Sequence, residues 1–319
     1  MTRMISDLNR RAAQLFQSAA LRANELKIAA HTRADGGQTL DFGVAAPGGL
    51  EAGRVLAEIC LSGLGKVDLV PASADLPTQL AVAVRTDEPV AACLRSQYAG
   101  WQIAGEKYFA MGSGPMRAAA GREEVIKHLG GKEPAKLVVG VLETRKLPPE
   151  AIVAELAEKC GVPPSGVLLA AAPTASFAGT IQVVARSVET ALHKLHELGF
   201  DVNRVVSGYG LAPLPPIGRD DLVSIGWTND VVLYGGTVQL WVRGDDESLA
   251  EIGPRVPSCS SSAYGQTFAR LFEQAGHDFY KLDPHLFSPA VVTFNNLDTG
   301  RVFHFGQLNR QVLVESFGL

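Results

Sequence analysis

KLVVGVLETRKLPPEAIVAELAEKCGVPPSGVLLAAAP, residues 136–173, reads as strand, helix, strand. KLVVGVLET and VLLAAAP are short apolar runs bounded by Gly and Pro, of strand length rather than helix length. AIVAELAEKCG between them repeats its apolar residues at helical spacing and stops at Gly161. Working outward, LKIAAHTRADGGQTLDFGVAA predicts two strands around an Asp35-Gly36-Gly37 turn, and GGLEAGRVLAEICLSGLG predicts a helix with Gly63 and Gly65 near its end. VDLVPAS and LAVAVRT read as strands, PVAACLRSQYAGWQIA as a helix, and GREEVIKHLGG as another. Downstream, the spacing predicts one long helix from about Ile181 to Leu198, then a proline-rich loop, LAPLPPIGRDD. DVVLYGGTVQLWV reads as a strand pair turning at Gly235-Gly236, TFARLFEQAG as a helix, and AVVTFNN and RVFHFGQL as the closing strands. Strands and helices alternate irregularly, with several adjacent strand pairs. The expectation is an α/β protein of mixed layers, neither a regular Rossmann sheet nor a TIM barrel.

The segment GGKEPAK interrupts the pattern with glycine, charge and proline together, which makes it the candidate linker. It divides the chain into an N-terminal α/β domain, 1–131, and a C-terminal one, 132–319, with the last strands free to return to the first. At 319 residues there is room for two cores. A composition of 46% hydrophobic and 19% charged residues is that of a soluble globular protein. The first residues, MTRMISDLNRRAAQLFQSAALRANEL, read as an amphipathic helix rather than a secretory signal, so a cytoplasmic location is expected. No stretch is long and apolar enough to span a bilayer. The net charge of −4 and the absence of a basic cluster argue against nucleic acid. Cys60, Cys93, Cys160 and Cys259 are widely spaced with no CxxC pair, so buried thiols are expected rather than a metal or redox motif. A small molecule is the expected partner.

Two stretches carry the chemistry. SQYAGWQIAGEKYFAMGSGPMR, residues 96–117, crowds Gln97, Tyr98, Trp101 and Tyr108 beside a Gly112-Ser113-Gly114-Pro115 turn. Its second half follows neither apolar period, and aromatic faces, amides and glycines suit a flat polar heterocycle. The plainer reading is a helix ending at Gly105, a short strand and a turn. GSGP is neither a nucleophile elbow nor a Walker loop, although its backbone N–H groups suit an anionic tail. The second stretch is the helix after Thr180. Ile181, Val184, Val188, Leu192 and Leu195 form its apolar stripe, and Gln182, Arg186, Glu189 and His193 fall on the opposite face. That face is either an ordinary solvated one with a surface ion pair, or the wall of a cleft where a carboxylate beside a guanidinium orients a water. His193 and His196 form H-x-x-H without the companion ligands of a metal signature.

The 96–117 run, TASFAGTIQVVARSVETALHK, TNDVVLYGG and DFYKLDPHLFSPA together resemble the methenyltetrahydromethanopterin cyclohydrolases, from the EAGRVLAEICLSGLG helix to the C-terminus. The resemblance implies a two-domain α/β enzyme, usually a homotrimer, holding its pterin in a cleft between domains. It implies reversible hydrolysis of the methenyl carrier to the formyl form, in formaldehyde oxidation or methanogenesis, with no metal and no cofactor. The family's Q-V-V-A-R-x-x-E pair falls on Arg186 and Glu189, which it implies to be catalytic. Gln97, Tyr98, Trp101, Ser113 and Gly114, with Thr228, Asn229 and Asp230 ahead of a predicted strand, are the expected substrate contacts. Tyr98 and Trp101 equally fit packing roles, and 228–230 equally fit a turn. A cyclohydrolase for a folate-type carrier and a non-catalytic pterin-binding protein are the alternatives.

Overall fold

The computed structural model describes residues 7–276, 278 and 281–319. Residues 1–6 of the predicted first helix, and His277, Phe279 and Tyr280 near the late aromatic run, lie outside the described residues. Twelve strands run through the described chain. The first six are β1 (Ala29–Thr32), β2 (Gln38–Asp41), β3 (Gly65–Pro71), β4 (Leu80–Thr86), β5 (Trp101–Gly105) and β6 (Tyr108–Ser113). The rest are β7 (Val138–Glu143), β8 (Val167–Ala172), β9 (Val205–Pro213), β10 (Thr237–Val242), β11 (Val291–Asn296) and β12 (Val302–Gly306). They form two six-stranded mixed sheets, in the orders β1-β2-β8-β7-β6-β5 and β12-β11-β10-β9-β4-β3. The fold is mixed α/β with no closed barrel, as the alternation of elements predicted.

The described residues divide into two compact units. One takes the chain up to Gly65 and then Val90–Gln182; the other takes Lys66–Pro89 and Val183–Leu319. The chain therefore passes from one unit to the other three times. The expected division at 131/132 falls inside the first unit, and the closing strands β11 and β12 belong to the second.

In the first unit β2, β8 and β7 run parallel, and β6 and β5 continue the sheet antiparallel. β8 is buried along its whole length because both faces are covered. Val139, Val141, Leu168 and Ala170 pack with Phe16 of helix Leu8–Leu21 and with Leu56 and Ile59 of helix Leu50–Cys60. Alternate residues Val138, Leu142, Val167 and Leu169 pack with Ile152 and Leu156 of helix Glu150–Cys160. The candidate linker is a strap here, not a hinge. Buried Glu133 accepts hydrogen bonds from the Leu8 and Asn9 backbone N–H groups at 3.2 and 3.1 Å, closing the first helix's open donors. Asn9 in turn donates to Pro115 O and accepts from Val139 N, tying that helix to the sheet.

The second unit departs from expectation in three elements. DVVLYGG is the end of a 15-residue helix, Asp221–Gly235, rather than the first of two strands. Asp220 caps it by accepting from Val223 N, and its closing apolar run is β-branched because it is buried, not extended. β9 lies in the middle of the sheet, paired with β10 and β4, in a stretch whose glycines hide the strand pattern. A last helix, Arg310–Phe317, follows β12.

Candidate active site

The predicted helix from Ile181 to Leu198 is two helices, Phe177–Val184 and Ser187–Glu197. Ser176 starts the first, its hydroxyl accepting from Gly179 N at 3.0 Å. Arg186 stands at the break with φ −91° and ψ 6°, and Thr190 N donates to its carbonyl to open the second helix. No proline or glycine stands at the break, so local propensity does not dictate it. The second helix packs on β9. Val188 lies against Gly208 and Gly210, strand residues with no side chain to hold the helix off.

Arg186, the N-cap of this second helix, and Glu189, in its first turn, are 6% and 4% exposed. A guanidinium and a carboxylate so far from water are not a solvated helix face. The positive end of the helix favours the negative charge of Glu189 at this position. Lys194, further along, is also buried; its ammonium donates to His285 O and Ser260 Oγ, and burial lowers its pKa to about 8. His193 lies 3.8 Å from Glu197. Among the described residues no group of three or more His, Cys, Asp or Glu is placed to hold a metal ion, and no helix is long and apolar enough to cross a membrane.

Gln182, expected on one face with Arg186 and Glu189, lies in the first unit. It donates to Glu143 Oε1 at 2.9 Å, at the end of β7. Glu143 was not singled out by sequence. The signal for it was its place at the carboxyl end of a parallel strand, where α/β sheets carry ligands.

The aromatic run starts at the end of a π-helix, Val90–Gln97, and continues through the β5–β6 hairpin, so no helix reaches Gly105. Gln97 is fully buried at the end of the π-helix, an uncommon element often kept at functional sites. Tyr98 is half-buried, with the Arg117 guanidinium 4.8 Å from its ring centre. Trp101 alternates with Ile103 into the core beside Ile152 and carries the Lys159 ammonium 5.6 Å from its ring. Ser113 is fully buried, donating to Val141 O at 3.2 Å and lying 3.3 Å from Cys60 Sγ. Gly114, at φ +87°, turns tightly against β7, where a Cβ would stand 3.1 Å from Val139 O. Cys60, Cys93 and Cys160 are buried and Cys259 is exposed.

Thr228, Asn229 and Asp230 stand within helix Asp221–Gly235, not ahead of a strand. Thr228 Oγ1 and Asn229 Nδ2 donate back to the carbonyls of Ser224 and Ile225, as hydroxyls and amides do inside helices. Asp230 is fully buried and accepts from Phe268 N at 2.8 Å and Ser316 Oγ at 2.6 Å. Burial pushes its pKa up to about 7 against the pull of those two hydrogen bonds.

A family model described as Cyclohydrolase (MCH) matches residues 7–317. A methenyltetrahydromethanopterin cyclohydrolase of Rhodopirellula baltica is 48% identical over 323 residues, covering 98% of this chain and 95% of the relative. One of Methylobacillus flagellatus is 45% identical, covering 93% of this chain and 90% of the relative. One of Methanococcoides burtonii, at 40%, covers 92% and 93%. With the family model and these relatives spanning nearly all of its length, the chain belongs to the cyclohydrolase (MCH) family.

Proposed function

We propose that the protein hydrolyses 5,10-methenyltetrahydromethanopterin reversibly to 5-formyltetrahydromethanopterin, as a cytoplasmic homotrimer in one-carbon metabolism. The observation that carries the reading is the burial of Arg186 and Glu189 together at the start of one helix, in a chain that the family model matches over residues 7–317. The methenyl carbon bridges two nitrogens as an amidinium and is already electrophilic; what it needs is a placed nucleophile. Glu189 takes one proton from water as the water oxygen bonds to that carbon, giving a neutral hydroxyl adduct. Protonated Glu189 then gives its proton to the departing nitrogen as the C–N bond breaks. The hydroxyl proton leaves to solvent as the formyl C=O forms, so one proton is released overall. The Glu189 carboxylate also favours the cationic substrate electrostatically. Arg186, a second cation beside a cationic substrate, serves to aim the carboxylate rather than to bind the ring.

Gln97 and Tyr98 at the end of the π-helix are the substrate contacts we assign in the first unit. Trp101, Ser113, Gly114, Thr228, Asn229 and Asp230 have their side chains or backbone committed to packing and hydrogen bonds, and we assign them supporting roles. The test is decay of the methenyl chromophore with purified protein, on the methanopterin and the folate carrier side by side, with and without a chelator. Rapid, chelator-resistant loss of the methanopterin form alone is expected. No rate above buffer on either carrier would overturn the reading in favour of a pterin-binding protein. Sedimentation of the purified protein tests the trimer.

A further inference from the structure

β9 is a central strand, yet it carries Gly208 and Gly210, which weaken a strand unless something must come close. What comes close is Val188. A Cβ on Gly208 would stand 2.8 Å from Val188 Cγ1, and one on Gly210 would stand 2.9 Å from Val188 Cγ2. The two glycines are two residues apart on one strand, so they share a face, and each receives one methyl of a side chain that is stiff at χ1. Ser187 fits the same surface, its Oγ 2.3 Å from where a Gly210 Cβ would be. The socket is held on both sides: Gly208 pairs with Leu240 and Thr86, and Gly210 with Val238 and Val84. Val188 and Ser187 are fully buried, and they lie in sequence between Arg186 and Glu189.

We propose that Gly208 and Gly210 are positioning residues for the reaction, a two-glycine socket that sets the height and rotation of the turn bearing Arg186 and Glu189. The proposal rests on the catalytic assignment of that pair. Neither glycine touches substrate; each acts through Val188. A helix break with no local cause is what such a socket would impose, because the seat of Val188, rather than continuity with Phe177–Val184, fixes where the second helix begins. Displacement of a reacting group by about 1 Å costs up to about a hundredfold in rate, so a single added methyl is enough to register.

The experiment compares kcat, KM and melting temperature for G208A, V188A, the double variant G208A/V188A, V188I, L195A and E189Q. G208A is expected to lower kcat by at least about tenfold with KM within about threefold of wild type. G208A/V188A is expected to regain most of that loss, because the alanine methyl then occupies space that Val188 has vacated. V188I, which overfills the same socket without touching the strand, is expected to lower kcat as G208A does, and carries the test if G208A yields no folded protein. L195A empties a buried site two turns further along the same helix and is expected to lower the melting temperature while leaving kcat within about threefold. Folded G208A and V188I with wild-type kcat would overturn the proposal, as would a loss in G208A that the double variant does not recover. A fully active E189Q would instead remove the catalytic assignment itself, whatever the glycine variants do.

Discussion

Glu189 and Asp230 are both buried carboxylates, both on helices of the second unit, and nearly equal in exposure. Their settings differ. Glu189 stands in the first turn of its helix, at the positive end and three residues from a guanidinium. Asp230 stands in the tenth position of a 15-residue helix, with neutral donors from two other helices, Phe268–Gln274 and Arg310–Phe317. One is placed to carry charge and the other to join three helices. Burial of a carboxylate is therefore no mark of a catalytic centre until the charges and dipoles around it are known.

The sharpest way to break the contrast is to remove each acid as its amide. Glu189→Gln should lower kcat by about a thousandfold or more with an unchanged circular dichroism spectrum, while Asp230→Asn stays within about threefold at pH 6. Equal losses in the two would erase the distinction. Next in size, Arg186→Lys keeps the charge and loses the planar fork; a fall of about a hundredfold in kcat is expected in the same assay.

The pH dependence of stability sharpens the other half. The folded value of about 7 for Asp230 lies above the ordinary 3.8, so the folded state holds its proton more tightly than the unfolded state does. Its contribution is complete below about pH 4 and is lost as pH rises through about 7. Urea titrations should show wild type losing on the order of 2 kcal/mol relative to Asp230→Asn between pH 5 and 7.5. An identical slope in both proteins would place the ionisation elsewhere. Smallest of all, Ser316→Ala removes one of the two donors and should cost about 1 kcal/mol at pH 8, with less effect at pH 5.

Much of this was legible in the chain. β7, β8 and the helix between them were read correctly because length, apolar period and Gly161 all agreed. Arg186 and Glu189 were expected on one face of a single helix and were singled out by the family resemblance; the structure puts them at the start of a second helix, and their part in the reaction is what we propose. Helix Asp221–Gly235 was misread because a helix buried over most of its surface has no polar face to reveal its period, and its VVLY segment is β-branched and aromatic. β9 was missed for the opposite reason. Its glycines interrupt the alternating apolar pattern, and the contact they make, receiving Val188, appears only once a helix lies on the strand. With the socket we propose, the same contact explains why the break at Arg186 was invisible: it is imposed from the neighbouring sheet, not by the residues at the break.

The three passages of the chain between units have a consequence for how the protein is made. β3 and β4 leave the ribosome early, but the second neighbour of β4 is β9, and Val84 cannot find Gly210 until more than a third of the chain has followed. Until then the apolar LAVAVRT strand has only β3 to pair with. Helix Leu8–Leu21 likewise waits for Glu133 to close its open end. Neither half, expressed alone from a cut at 131/132, would hold a complete sheet, and the two together would have to fold as complementing fragments. Vectorial synthesis thus delivers one edge of this sheet long before its centre, and its strands then join in the order in which they are translated, after a wait of more than a hundred residues between β4 and β9.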